Sequence, residues 1–145
     1  MDKHYNLERF VIAQEPIFEQ ACKELLQECK TGHWMWFIFP QIAGLGFSAM
    51  SREFAISSLE EARAYLAHPV LGPRLREVCS LVNQIKDKSM HQVFGSPDDL
   101  KLKSSLTLFA QATVDNALFM DILKNQFERQ FDQRTLVLID LLPQV

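Results

Sequence analysis

Leu71, Leu75, Val78, Val82 and Ile85 follow one another at intervals of four, three, four and three residues. That is the spacing of one face of an α-helix, and a β-strand cannot use it. The pattern recurs in Phe18, Cys22, Leu25 and Cys29, in Leu102, Leu106 and Phe109, in Phe119, Leu123 and Phe127, and in Leu136, Ile139 and Leu142. A chain with this many amphipathic stripes must bury them against one another, so the predicted fold is all-α and multihelical.

Local signals set the expected boundaries. Asn6 is placed to cap a first helix through Gln14, and Pro16 restarts the chain at a first-turn position. SLEE at Ser58 has the Ser-x-x-Glu form of a capping box, and His68-Pro69 stops that helix near Ala67. Gly72-Pro73 punctuates the next. In GSPDD, Gly95 ends a turn, Ser96 is the expected N-cap, and Asp98 and Asp99 face the positive end of a helix dipole. Asp115 and Asp132 start the last two helices. No long linker, repeat or low-complexity run divides these elements, so residues 1–145 are expected to form one domain. A domain of that length buries roughly 70% of the surface of its unfolded chain.

One stretch resists the helical reading. GHWMWFIFPQIAGLG, residues 32–46, has no 3.6-residue period, Phe39 precedes a proline, and Gly44 and Gly46 bracket a leucine. We expect an extended or irregular segment near residues 33–41, with a tight turn after it. In an alternating segment Trp34 and Trp36 share one face, and His33 and Met35 the other.

Composition excludes several functions. A net charge of −3 gives no basic stripe for counterion release, so a nucleic-acid partner is not expected. The first nine residues are too polar for a secretory leader, and the longest apolar run, Trp34 to Phe39, has six residues against about 20 for a membrane span. A cytoplasmic protein with no membrane partner is the expectation. Cys22 and Cys29 lie seven apart on what reads as one helix, roughly 10 Å along its axis, too far for a disulfide. No Cys/His spacing suits a metal, there is no HExxH, GxSxG or P-loop motif, and His4, His33, His68 and His91 form no helical pair, so neither metal nor cofactor is expected.

Four motifs in order carry a resemblance: LERFVIAQ from Leu7, HWMWFIFPQIAGLGFS from His33, EARAYLAHPVLGPRL from Glu61 and FGSPDDLKLKSSLTLFA from Phe94. Together they make the chain, from Leu7 to Leu142, resemble the domain-of-unknown-function family eighteen-ten, some members of which carry the label calpastatin. The resemblance implies a mostly helical single domain and supplies no reaction. The chain departs from the family pattern where a glycine is expected before the motif lysine, since Glu28 precedes Cys29-Lys30. It departs again near Arg129-Gln130, where a glycine usually follows the phenylalanine.

Two clusters could carry function. Around the aromatic stretch, Trp34 and Trp36 offer stacking surface and indole donors, and Gln41 and Ser48 offer polar edges. Gly44 and Gly46 expose backbone amides, while His33 or Glu53 could move a proton. Along the later helix, Asp98, Lys101 and Ser104 recur at intervals of three and share a face. The functional expectation is a small-molecule-binding domain with hydrolase chemistry on a nucleotide or ADP-ribose-type substrate. In it, Lys101 and Ser104 meet the ligand across a hollow shared with the indoles. The alternative is a protein-interaction module or a homodimer face without catalysis.

Overall fold

The computed structural model describes residues 5–141, and its helices bear out the all-α reading. Ten helices run in order among the described residues: α1 (Glu8–Gln14), α2 (Phe18–Leu26), α3 (Met35–Ile38), α4 (Ala49–Glu53), α5 (Leu59–Ala67), α6 (Leu71–Asn83), α7 (Met90–Phe94), α8 (Asp98–Ala112), α9 (Ala117–Gln126) and α10 (Gln133–Leu141). His4 and Leu142 lie outside the described residues. None of the described helices is long and apolar enough to cross a membrane.

Four helices close a ring: α5 packs on α6, α6 on α9, α9 on α8 and α8 back on α5. The stripe of Leu71, Leu75, Val78 and Val82 predicted from the sequence is the buried face of α6. Opposite it, Leu102, Leu106 and Phe109 of α8 and Phe119 and Leu123 of α9 are buried. Within the ring, Tyr65, Phe109 and Phe119 stack in sequence with ring centroids 5.3 and 6.2 Å apart. The remaining helices pack on the outside, with α2 against α6, and α3, α7 and α10 against α8. α8 is buried on most sides, including Ser104, Ser105 and Thr107.

Several boundaries depart from the sequence reading, each for a local reason. Leu7 rather than Asn6 occupies the N-cap of α1, because Asn6 takes a left-handed conformation at φ 55°. Ser58 caps α5 by accepting from the Glu61 amide, but Glu61 does not return the bond as a capping box requires. Its carboxylate instead accepts from the Ser57 amide and hydroxyl and pairs with Arg9 at 3.1 Å. The reciprocal box is at Ser89 and Gln92, which start α7. Pro97, not Ser96, precedes α8. α2 ends at Leu26, so Cys29 lies beyond it, exposed, and the three cysteines are free thiols.

The aromatic segment is the largest departure. The backbone over Met35–Ile38 makes one helical turn, with the Ile38 amide donating to Trp34 O at 3.1 Å and the Phe39 amide to Met35 O at 3.0 Å. Aromatic and aliphatic side chains surround the turn on several faces, so no single apolar stripe marks it in the sequence. Phe39, held at φ −124° before Pro40, ends it as the proline demands. Beyond it, Ile42 and Ile56 form an isolated parallel bridge that closes the loop between α3 and α5.

Candidate functional site

The helical turn separates the two tryptophans. Two residues apart on a helix project to nearly opposite sides, whereas on a strand they would share one. Trp34 is fully buried and its indole N–H donates to Glu24 Oε1 at 3.0 Å, so its ring belongs to the core rather than to a stacking surface. Trp36 is half-buried and lies between two hollows.

The first hollow, about 200 Å³, lies under the loop closed by the Ile42–Ile56 bridge. Trp36, Gln41, Gly44, Gly46, Lys101 and Ser104 line it, bringing together six residues that the sequence singles out from two distant segments. Phe54, Pro97 and Leu100 supply apolar wall. The second hollow, about 260 Å³, is lined by Lys30, His33, Trp34, Trp36, Pro97, Asp98 and Lys101 among others. Trp36, Pro97 and Lys101 are therefore the partition between the two. The Lys101 ammonium lies 5.5 Å from the centre of the Trp36 ring, a cation–π distance.

Each wall has a physical origin. Gly44 sits at φ +104°, and a Cβ there would come 3.1 Å from Leu138 Cδ2 of α10, so the turn over the first hollow can press against α10 only as glycine. Ser104 is fixed by its neighbours: its hydroxyl lies 3.1 Å from both Leu100 O and Asp132 Oδ2, and it has one proton to share between them. The same Asp132 oxygen accepts from the Thr135 amide at 3.1 Å and from the Thr135 hydroxyl, which ties the start of α10 to α8.

The loop of the second hollow is held from behind by Glu24. Its Oε1 accepts from the amides of Thr31 and Gly32, both at 2.9 Å, and from Trp34, while Oε2 accepts from Gln20 at 3.0 Å. Burial alone would raise the pKa of this carboxyl. The donors on Gly32, Thr31, Gln20 and Trp34 outweigh burial and hold it at about 2.

Two expected residues stand elsewhere. The Ser48 hydroxyl accepts from the Ser51 amide at 3.1 Å as the N-cap of α4, and Ser48 lines neither hollow. Glu53 is exposed at the end of α4, where its backbone carbonyl accepts from Arg9 Nε at 2.8 Å, and it also lines neither hollow. His33 and Glu53 are thus not brought to one wall. Sequence reasoning missed Lys30, although it stands three residues before His33, because helical periodicity ends before it and it belongs to no polar stripe.

Among the described residues no three His, Cys, Asp or Glu side chains gather as a metal site would require. The comparison with curated proteins returns no match. The chain is similar to the conserved hypothetical protein Rv1873 from Mycobacterium tuberculosis, whose crystal structure was determined at 1.38 Å. The two are 50% identical, with a TM-score of 0.93 over 94% of this chain and 97% of that one. The family model described as "Protein of unknown function (DUF1810)" matches residues 4–139, nearly the whole sequence, and the chain belongs to that family.

Proposed function

We propose that the protein binds a small planar ligand of the nucleotide or ADP-ribose type across the Trp36 partition. The observation that carries this reading is that Trp36, Gln41, Lys101 and Ser104, from segments some 60 residues apart, line one hollow. Trp36 supplies an aromatic surface beside apolar wall, Gln41 a polar edge, and Lys101 a cation already over the indole. Ligand pockets usually measure roughly 300–1,000 Å³. Each hollow here is smaller, so a ligand of ordinary size extends into both.

Binding is better supported than hydrolysis. His33 lines the second hollow, but Glu53, the other residue expected to move a proton, is on neither wall. The ligand-binding reading is tested by thermal shift against nucleosides, nucleotides and ADP-ribose. A ligand at about 100 times its dissociation constant adds roughly 2.7 kcal/mol of stability, about 5–10 °C for a domain of this size. No shift with any of them at millimolar concentration would defeat the proposal.

One observation favours the interaction module as a second reading. Phe47 and Leu100 are 68% and 58% exposed, and Leu100 lines the first hollow while Phe47 adjoins it at Gly46. If the hollow is a docking surface, Phe47→Ser and Leu100→Ser together abolish self-association in sedimentation while nucleotides cause no shift.

A further inference from the structure

The second hollow gathers more charged groups than the first, two lysines and a carboxylate against one lysine, and we propose that it seats a phosphate or pyrophosphate group, so that the ligand of the cleft is a phosphorylated one. This rests on reading the first hollow as the seat of the planar group.

Lys30 carries the argument. Its side chain is only 5% exposed, and an ammonium so far from water must be paired. Asp98 Oδ2 lies 2.8 Å from its Nζ, and the Gly32 carbonyl accepts a second bond. Its third side faces the Trp34 ring, whose centre lies 4.8 Å from Nζ, so an entering anion competes with Asp98 for this ammonium. The other Asp98 oxygen is 3.8 Å from Lys101 Nζ, so two lysines share a single carboxylate. His33 adds a further donor to the same wall. Glu24, the carboxylate behind Trp34, lines neither hollow, and its oxygens accept four N–H bonds from the loop and from Gln20.

The residues lining the hollow therefore carry more positive than negative charge. They include two ammonium groups, which bind phosphate as point charges. Asp98 acts as a competitor occupying the seat. An entering phosphate takes Lys101 from its long 3.8 Å pair and competes with Asp98 for the Lys30 ammonium.

Isothermal titration of the full chain with adenosine, ADP and pyrophosphate tests this. ADP is expected to bind at least about tenfold tighter than adenosine, the increment of a charge-assisted contact. Lys30→Gln removes that advantage and leaves adenosine binding unchanged, and Lys30→Arg retains it. Asp98→Asn tightens both ADP and pyrophosphate several-fold, a gain that damage to the fold cannot imitate. Equal affinity for ADP and adenosine, weaker pyrophosphate binding in Asp98→Asn, or no binding of pyrophosphate or ADP at millimolar concentration would each overturn the phosphate seat. Pyrophosphate binding that depends on Lys30 and Asp98, without any binding of adenosine, would instead uphold the seat and overturn the planar-ligand reading.

Discussion

Glu24 holds four donors on one carboxylate, and its charge therefore contributes to the folded state in a defined pH window. Its folded pKa of about 2 lies below the ordinary value of 4.5. The stabilisation is complete above pH 4.5 and is lost as pH falls through 2, amounting to on the order of 3 kcal/mol. Glu24→Gln turns an amide toward the donors of Thr31, Gly32 and Trp34. In urea titrations it should be less stable than the parent at pH 7, with the gap narrowing between pH 4.5 and 2. A gap that does not vary with pH would mean that the charge of Glu24 contributes nothing. The tryptophans give a second contrast. Trp34→Ala empties a fully buried site and should cost about 3–5 kcal/mol, whereas Trp36→Ala should fold and lose ligand affinity. Their separate roles were not legible in the sequence, because alternation pairs residues two apart on one face and a single helical turn divides them.

At the scale of the element, the connections after α2 and α9 show which sequence signals carried structural information. Glu28 lies at φ 57°, and Glu128 and Arg129, just after Phe127, lie at φ 56° and 63°. These are the places where the family pattern leads one to expect glycine, and the backbone gives the reason: a left-handed conformation costs a residue with a Cβ roughly 1–2 kcal/mol. Replacing Glu28 by Gly relieves that strain and adds unfolded-chain entropy that offsets part of it. The expected net gain is about 0.5–1 kcal/mol, read as a higher urea midpoint at unchanged slope. A lower midpoint would show that Glu28 makes a contact worth more than its strain. The stripes of α6 and α9 were legible because each helix buries one face in the ring; on α8 the stripe of Leu102, Leu106 and Phe109 was legible, but the burial of Ser104, Ser105 and Thr107 on its other sides was not. α3 was not legible, since it is four residues long and packed on several sides; Asp132 was legible as the start of α10, but its bonds to Ser104 and Thr107 were not, because they depend on how α10 meets α8.

Across the whole molecule, the most deeply buried elements and the candidate site fall in different places. α8 packs against α3, α5, α7, α9 and α10, and most of its residues from Leu102 to Ala112 are buried, so its amides should open only with global unfolding. Much of the wall of both hollows comes from short elements and turns: the loop after α2, the α3 turn, residues 43–47 and the start of α8. The clustering of Trp36 with Lys101 could be anticipated from the two polar-aromatic motifs, but the division into two hollows could not, since it depends on Pro97 and on the rotation of Trp36 away from Trp34. Hydrogen exchange follows this division directly. Without ligand, amides in the middle of α8 should exchange slowest and those of residues 44–47 among the fastest. With saturating ADP, protection should rise in residues 30–36, 43–47 and 96–101 together, while the α6–α9 face opposite keeps its rates. Protection confined to residues 43–47 would place the ligand in the first hollow alone. Protection on α6 and α9 would move the binding site to a different face of the ring.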